Sequence, residues 1–347
     1  MRRTIAAIGV ALILATTTIS CSDDTTSSSA ANTVTLVTYS GYALPEAAAK
    51  AFTKRTGIKI KIVATDDAGA ALNRVLLQSG APEGDVFFGV DNTFLGRAQQ
   101  SDAFVKYTPK ANDTVPREFQ LDEAGRFTPV DESSVCVDYD QSWFAAHQLA
   151  PPTDLQSLTE PKYKDLLVVE DAAASSPGLA FLAATHAAFK DGTDDYWRAL
   201  KANGVAIAAS WSDAWETRFT VSGGDRPLVV SYASSPPAEV VYATTPIDAP
   251  KSAVITSTCF RQIEFAAVLA GAPHLDPAKQ LVDEMLSMQW QEGLPLSNFV
   301  YPVLPGATLP DEFQKWAVRP TSPYEVSVKE LDDQRDAWLT SWRDITE

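Results

Sequence analysis

Residues 33–39 read TVTLVTY, residues 58–64 read IKIKIVA and residues 85–90 read DVFFGV. The first two segments alternate and are rich in β-branched residues, and the third is apolar, so each predicts a β-strand. Helical spacing over 45–56 and 69–79 predicts a helix after each of the first two strands. Because crossovers between such strands are right-handed, this order of elements predicts a parallel sheet.

The same order of elements returns later in the chain. The predicted elements are strands at 166–170, 205–209 and 228–232, with helices that end near 190, cover 194–202 and cover 211–219. The predicted fold class is therefore α/β, with two doubly wound lobes and a ligand cleft between them.

Polar and aromatic residues follow the predicted strands where those strands end. They are Tyr39, Asp66 with Asp67, Asp91 with Asn92, Ser175, Ser176, Trp211 and Tyr232. Ligands of open parallel sheets bind at the carboxyl ends of strands, and ligand sites favour interfaces between domains. We expect 33–131 plus 260–347 to form lobe 1 and 132–259 to form lobe 2, with these side chains in the cleft.

The first residues have the pattern of an export signal. Arg2 and Arg3 precede a short apolar run, and small residues lead to Cys21 at the expected cleavage site. We predict a lipoprotein signal over 1–20 and a polar tether over 21–32. The rest of the chain would then be extracytoplasmic, anchored to a bacterial membrane by a lipidated Cys21. The alternative is an ordinary signal peptide with an incidental cysteine.

The charge of the chain restricts its partners. There are 28 Lys and Arg residues against 44 Asp and Glu residues, a net charge of −16. Loss of Arg2 and Arg3 with the signal leaves 26 basic residues against 44 acidic ones, or −18. Such a field argues against nucleic acid or an anionic surface as partner and is compatible with a cationic ligand. The same charge also serves solubility, so it does not identify a ligand by itself.

Two further cysteines lie in β-like segments. Cys136 is in SVCVDY and Cys259 is in TCFRQIEF. In an oxidising compartment they either form a disulfide between neighbouring strands or remain two buried thiols. The sequence leaves both alternatives open.

The sequence contains no recognisable catalytic constellation. His147, His186 and His274 lie far apart, and none has another histidine or a cysteine at metal-ligand spacing, so we expect no metal site. There is no nucleophile elbow, Walker phosphate loop or dinucleotide fingerprint. An exported protein with two lobes and none of these motifs is most simply a solute-binding component of a transporter. We therefore expect neither enzyme activity nor a cofactor.

Six groups of residues resemble, in the same order, the periplasmic thiamine-binding proteins of ABC importers. They are VATDD (63–67) with LNR (72–74), GVDN (89–92), SSPGL (175–179), WSDAW (211–215), SYASSP (231–236) and NFVYPV (298–303). The segment 334–342, with Trp338 and Trp342 four residues apart, is similar to the C-terminal helix of that family. The groups cover nearly all of the chain that follows the signal.

The resemblance implies a class II periplasmic binding protein fold that binds thiamine, thiamine monophosphate or thiamine diphosphate as transported ligand. It also implies delivery of that ligand to an ABC permease in the membrane, and we expect a monomer. The ligand contacts carried over by matching motif are Asp67, Ala68, Ser175, Ser176, Trp211, Tyr232, Ala233, Ser234 and Ser235. Tyr39 and Phe299 match aromatic positions that line the cleft of that family.

The chemistry of thiamine suggests roles for these residues. The aromatic faces suited to its permanently cationic thiazolium are those of Tyr39, Trp211, Tyr232 and Phe299. The carboxylate of Asp67 suits the 4-amino group of the pyrimidine. With Ser176 as N-cap and Pro177 at the first helical position, the helix start is also a candidate phosphate site. Ser234 and Ser235 would add hydroxyl groups there.

The chain departs from the family pattern at several aromatic positions. Only Tyr42 is present to replace a tryptophan that the family often has after Tyr39. Ala68 stands where a glycine is usual, Tyr242 is displaced from an aromatic position, and Phe299 replaces a common tryptophan. These changes put affinity and phosphate preference in doubt more than ligand class.

Two alternatives remain open at this level. A protein of the same fold can bind another small solute, such as ferric iron, an aminophosphonate or a polyamine. Iron usually requires paired tyrosines, and Tyr232 has no tyrosine beside it. An exported thiamine-degrading enzyme would need a nucleophilic cysteine in the cleft, for which Cys136 is the candidate.

Overall fold

The computed structural model describes residues 32–65, 67–78 and 80–347. The predicted signal, the lipidation site Cys21 and the loop residue Asp66 lie outside these ranges. No helix within them is long and apolar enough to cross a membrane.

The described residues form one mixed sheet. Its strands are β1 Thr33–Tyr39, β2 Lys59–Thr65, β3 Val86–Asp91, β4 Thr128–Asp140, β5 Leu167–Glu170, β6 Ala206–Ala208, β7 Leu228–Tyr232, β8 Ser252–Val268 and β9 Tyr301–Pro302. The strand order is β2-β1-β3-β8-β4-β7-β5-β6, and β9 pairs with β4. The strands β2, β1 and β3 are parallel to one another, as are β6, β5 and β7. The predicted α/β class and both parallel groups are confirmed.

Helices cover the faces of the sheet. They are α1 Glu46–Thr56, α2 Ala68–Leu77, α3 Leu95–Gln99, α4 Gln141–Ala146, α5 Ser176–Phe189, α6 Thr193–Ala202, α7 Pro236–Val241, α8 Leu275–Met285, α9 Met288–Ser297, α10 Asp311–Trp316 and α11 Val328–Thr346. The short side chains of α5 let it pack closely into the core, and its residues from Ser176 to Thr185 are all buried. This close fit explains why an Ala-rich helix of low amphipathicity is stable here.

Two long antiparallel strands join the parallel groups. Strand β4 has 13 residues and β8 has 17, and they pair from Thr128 opposite Ala266 to Asp140 opposite Ser252. Residues 264–268 of β8 also pair with β3, and residues 135–139 of β4 also pair with β7. The two strands, paired with each other, therefore connect one parallel group to the other. Sequence analysis identified β-like segments here but not the length of these strands.

A disulfide joins the two long strands at their centre. The sulfur atoms of Cys136 and Cys259 are 2.01 Å apart, and both residues are fully buried. This excludes the alternative of two buried thiols. It also leaves no free thiol at Cys136 for the thiamine-degrading enzyme considered above.

The C-terminal helix bridges the two halves of the molecule, because α11 packs against α3 on one side and α6 on the other. Ser327 caps its N-terminus by accepting a hydrogen bond from the N–H of Glu330 at 3.1 Å. The ring of Trp338 stacks on His186 with 4.0 Å between ring centroids. Burial lowers the pKa of His186 to about 4, which fits a packing role for this histidine.

One predicted helix has a different form. Residues 211–219 were expected to be α-helical, but Asp213–Arg218 form a π-helical turn. The N–H of Phe219 donates to the carbonyl of Ala214 at 2.9 Å, which is the five-residue spacing of a π-helix. Such turns often occur at functional sites because they redirect the side chains on either side.

The start of α5 also differs from the prediction by one residue. Ser175, not Ser176, is the N-cap: its backbone is extended, and its carbonyl accepts from the N–H of Leu179 at 3.0 Å. Pro177 is therefore the second helical residue. Neither serine hydroxyl makes a capping hydrogen bond.

The disulfide predicts a measurable contribution to stability. It closes a loop with a sequence separation of 123 residues, so replacing both cysteines by alanine should lower the free energy of unfolding by about 2 to 5 kcal/mol. Urea denaturation of the double variant and of the unaltered protein measures the difference. Addition of a reductant should destabilise only the unaltered protein, and equal stability of the two proteins would contradict the prediction.

Candidate functional site

A cavity of about 400 Å³ opens at the carboxyl ends of strands from both parallel groups. Its volume is within the range of small-molecule sites. The sequence-predicted residues that line it are Tyr39, Asp67, Ala68, Ser176, Trp211, Tyr232, Ser235 and Phe299. Residues separated by more than 250 positions in the chain are thus brought to one site.

Three of the residues carried over from the family do not line this cavity. Ser175, Ala233 and Ser234 are buried behind its wall. The hydroxyl of Ser234 lies 2.6 Å from that of Ser133 on β4, so this serine is engaged within the protein. Tyr42 likewise packs into the core, with its ring centroid 4.8 Å from that of Phe88.

Several lining residues were not proposed from the sequence. The ones with chemistry relevant to a ligand are Ser210, Trp215, Glu216, Tyr242, Glu264 and Asn298. A signal for Glu264 was present, since it is an acidic residue between Ile263 and Phe265 in an otherwise apolar strand segment. Charged residues are rarely buried without a reason. The short spacing between Trp211 and Trp215 was a weaker sequence signal that Trp215 also lines the cavity.

Tyr39 ends β1 and forms one wall of the cavity. Its hydroxyl donates to Glu264 Oε2 at 3.3 Å, and burial raises the pKa of the phenol well above its usual value. Gly89 makes room for the ring: it has a φ of +116°, and a Cβ there would lie 2.7 Å from a Tyr39 ring carbon. A side chain at position 89 would therefore displace this wall.

Asp67 joins the two halves of the cleft. Its Oδ1 accepts from the N–H of Ala68 at 2.7 Å as the N-cap of α2, and its Oδ2 accepts from the N–H of Trp211 at 2.9 Å. Burial raises the pKa of Asp67, and these two backbone N–H groups oppose the increase because they favour the ionised carboxylate.

A second aromatic wall, formed around Trp211, is held in place by a hydrogen bond and by stacking. The indole N–H of Trp211 donates to Ser231 Oγ at 3.0 Å. Its ring is nearly parallel to that of Trp215, at 11° and 5.9 Å between centroids, and lies 6.4 Å from that of Tyr232. The wall thus presents several ring faces in a fixed orientation.

The remaining aromatic residues stand at the mouth of the cavity. Phe299 has a φ of +54°, which is unfavourable for a bulky residue. Its ring contacts Tyr242 edge to face at 5.5 Å, and Tyr242 is 63% exposed. In the sequence, Tyr242 is displaced from the family's aromatic position, but the fold places it at the cavity.

The N-terminus of α5 presents a hydroxyl without a partner. Ser176 is only 2% exposed and lines the cavity, and its Oγ makes no hydrogen bond within the described part of the chain. The first N–H groups of a helix also lack intrahelical acceptors. This end of the cavity therefore offers donors to a ligand.

All charged side chains among the described lining residues are acidic. They are Asp67, Glu216 and Glu264. Together with the ring faces, they make a site that favours a cation with a planar aromatic part. The described residues include no group of three or more His, Cys, Asp or Glu side chains arranged to hold a metal ion.

A cleft at strand ends between two parallel groups, joined by two long strands, is the arrangement of a solute-binding protein. Residues 82–324 match the family model of bacterial extracellular solute-binding proteins, and this is more than half of the chain. The chain belongs to this family.

Individual relatives are consistent with the resemblance found in the motifs. The thiamine-binding periplasmic protein of Salmonella typhimurium is 28% identical over 316 residues, covering 89% of this chain and 92% of that protein. A solved periplasmic thiamin binding protein superposes with a TM-score of 0.81 at 26% identity, covering 91% and 96% of the two chains. The iron-bound HitA from Pseudomonas aeruginosa has a TM-score of 0.71 at 20% identity over 91% and 99%, and shows the fold alone.

The hydrogen bonds of Asp67 predict that this residue stabilises the ligand-free protein, whereas Glu216, which lines the same cavity, does not. Asp67→Ala removes the cap of α2 and the bond to the N–H of Trp211, so the ligand-free protein should lose about 1 to 2 kcal/mol of stability. Urea denaturation measures this loss. Glu216→Ala is the control, because Glu216 lines the same cavity but is exposed. Equal stability of the two variants would show that Asp67 does not make these bonds in solution.

Proposed function

We propose that this protein captures thiamine or its phosphate esters in the cavity and delivers them to an ABC permease in the membrane. The observation that carries the proposal is a cavity with aromatic walls whose charged lining residues, among those described, are all acidic. The cavity would close between lobe 1, residues 33–131 plus 260–347, and lobe 2, residues 132–259. The similarity to thiamine-binding periplasmic proteins supports the choice of ligand.

The aromatic walls suit the thiazolium ring. Tyr39, Trp211, Tyr232 and Phe299 all line the cavity. Each favourable contact between a cation and a ring face contributes about 0.5 to 2 kcal/mol. Several such faces in one site would hold the ring without a metal or a cofactor.

Asp67 suits the aminopyrimidine. Its two oxygens already accept backbone N–H groups, but each carboxylate oxygen has a second lone pair. One of them would accept from the 4-amino group. Because Asp67 bonds both α2 and Trp211, a ligand held by this carboxylate would strengthen the contact between the lobes.

The start of α5 suits a phosphate. The hydroxyl of Ser176, which has no hydrogen-bond partner among the described residues, and the positive end of the helix dipole both favour an anion. Ser235 adds a second hydroxyl to the lining. The phosphate of a thiamine ester would therefore lie at this end, while the cationic ring lies between the aromatic walls.

The remaining parts of the proposal come from the sequence. The lipoprotein-type signal supports an extracytoplasmic protein held at a bacterial membrane by lipid on Cys21. We propose that it acts as a monomer, with the permease as its protein partner. A polyamine is the second candidate ligand, since three carboxyl groups line the cavity.

Isothermal titration of the soluble protein tests the ligand. The protein, started at residue 22 and refolded to remove carried-over ligand, should bind thiamine, its monophosphate or its diphosphate with a dissociation constant of about 1 nM to 10 μM. Spermidine is the competing probe. Heat with spermidine and none with the three thiamine compounds would move the function to polyamine capture.

The aromatic wall predicts a specific loss of binding. Trp211→Ala removes a ring face and should weaken thiamine binding by more than about tenfold, equivalent to about 1.4 kcal/mol. Trp143→Ala is the matched control, because Trp143 stacks on His147 and does not line the cavity. Similar losses in both variants would point to destabilisation of the fold, which thermal unfolding of each variant detects.

The phosphate end predicts a change in preference between ligands. Ser176→Ala should weaken binding of thiamine monophosphate by about three- to tenfold and leave thiamine nearly unchanged, because only the ester reaches the start of α5. Titration of both ligands against the variant measures the ratio. An equal loss for both ligands would place the hydroxyl beside the ring system instead of the phosphate.

A further inference from the structure

Three acidic residues lie side by side on neighbouring strands, and the middle one, Glu264, lines the cavity. Glu264 on β8 is the register partner of Asp91 on β3 and of Asp131 on β4. Directly opposed residues in neighbouring strands place their side chains on the same face, and like charges there are destabilising. Since all three residues are buried, this arrangement requires an explanation.

The three carboxyl groups have different surroundings. Asp91 is fully engaged: its Oδ1 accepts from the backbone N–H and hydroxyl of Thr93 at 2.9 and 2.6 Å and from the N–H of Phe94 at 3.1 Å, while its Oδ2 accepts from Gln262 at 2.7 Å. Asp131 Oδ2 has no hydrogen-bond partner within the described residues. Glu264 is 6% exposed, and that exposure is to the cavity.

The other groups that face Glu264 are phenols. Tyr39 donates to its Oε2, and the side chains of Tyr42 and Tyr232 lie close enough to interact with it electrostatically. No lysine, arginine or histidine is among the described residues that line the cavity.

The nearest arginines are occupied elsewhere. Arg319 bonds Glu132, and Arg261 Nε lies 3.7 Å from the same carboxylate. The protein therefore provides no counter-ion for Glu264 within the cavity.

Burial favours the protonated forms of Glu264 and Asp131. It raises the pKa of Glu264 well above the ordinary value, and the charges of Asp131 and Asp91 raise it further. Burial also raises the pKa of Asp131, to about 8, with the charge of Glu132 contributing. A proton on Glu264 can be shared with Asp131, which provides a donor to a carboxylate that otherwise lacks one.

We propose that Glu264 is the counter-anion of the cationic ligand and that ligand binding releases one proton from the Glu264–Asp131 pair to solvent. The proposal rests on the proposed function, because it takes the ligand to be thiamine or a similar cation. In this step one carboxylic O–H bond breaks, the proton passes to the buffer, and the ligand cation replaces it beside the carboxylate. The charge at the floor of the cleft is thereby kept balanced.

This exchange determines how affinity depends on pH. The complex holds fewer protons than the free protein, so the association constant rises with pH, by up to about tenfold per pH unit while one full proton is released. The rise should level off at high pH, once the free protein has already lost the proton that the ligand displaces. A ligand without a positive charge should show no such dependence.

Titration calorimetry in buffers of different ionisation enthalpy counts the released protons. With thiamine, we expect release of close to one proton near pH 7 and less at higher pH, where the free protein loses this proton without ligand. The control ligand is deazathiamine, a neutral isostere, for which we expect no release. Tight thiamine binding without proton release would overturn the inference and leave the proposed function intact, whereas absence of thiamine binding at every pH would overturn the proposed function itself.

Two isosteric variants should shift affinity in opposite directions. Glu264→Gln removes the counter-anion, so it should weaken thiamine binding at pH 8 by at least about tenfold and abolish proton release. Asp131→Asn removes the competing charge and supplies an amide donor, so it should strengthen binding at pH 6 by about tenfold and flatten the pH profile.

A third variant tests whether a change in proton release is specific to the Glu264–Asp131 pair or follows from replacing any buried acid. Asp138→Asn is the matched control on the same strand, because Asp138 is fully buried with a raised pKa but does not line the cavity. It should keep the proton release of the unaltered protein. An equal change of proton release in all three variants would contradict the assignment to the Glu264–Asp131 pair.

Discussion

The antiparallel pairing of β4 with β8 is the constraint on which the rest of the structure depends. Strand β8 pairs with β3 of one parallel group and β4 pairs with β7 of the other, and a disulfide joins the two long strands. The ends of β1 and β7, far apart in the chain, therefore meet across a shared pair of strands. Because that pair is also the floor of the cleft, one feature sets both the position of the two halves and the chemistry between them.

The cleft contains features that oppose stability. Phe299 has a left-handed backbone, the buried hydroxyl of Ser176 has no hydrogen-bond partner in the described part of the chain, and Glu264 lies between two other acids. Each arrangement costs free energy in the empty protein. Their concentration around one cavity indicates that a ligand completes the site. In the proposed complex a cation would balance the acids, and the phosphate of a thiamine ester would bond the hydroxyl of Ser176.

Site residues at the ends of strands could be predicted from the sequence, because the alternation of apolar and polar residues shows where a strand ends. The alternation of TVTLVTY ends at Tyr39, and LVVSY ends at Tyr232, so both aromatic residues were placed at the edge where a ligand binds. Asp67 was found in the same way, as the residue between a strand and a helix. Its bond to the N–H of Trp211 was not, since that contact joins residues 144 positions apart.

The sequence by itself determined the α/β class, the two parallel groups and the family resemblance, because periodicity and short motifs are properties of neighbouring residues. The tertiary structure decided which predicted residues line the cavity, the disulfide between Cys136 and Cys259, and the position of Glu264 between Asp91 and Asp131. These depend on the register of β8 against β3 and β4. A shift of one residue would turn Glu264 to the other face of the sheet, and local sequence does not specify that register.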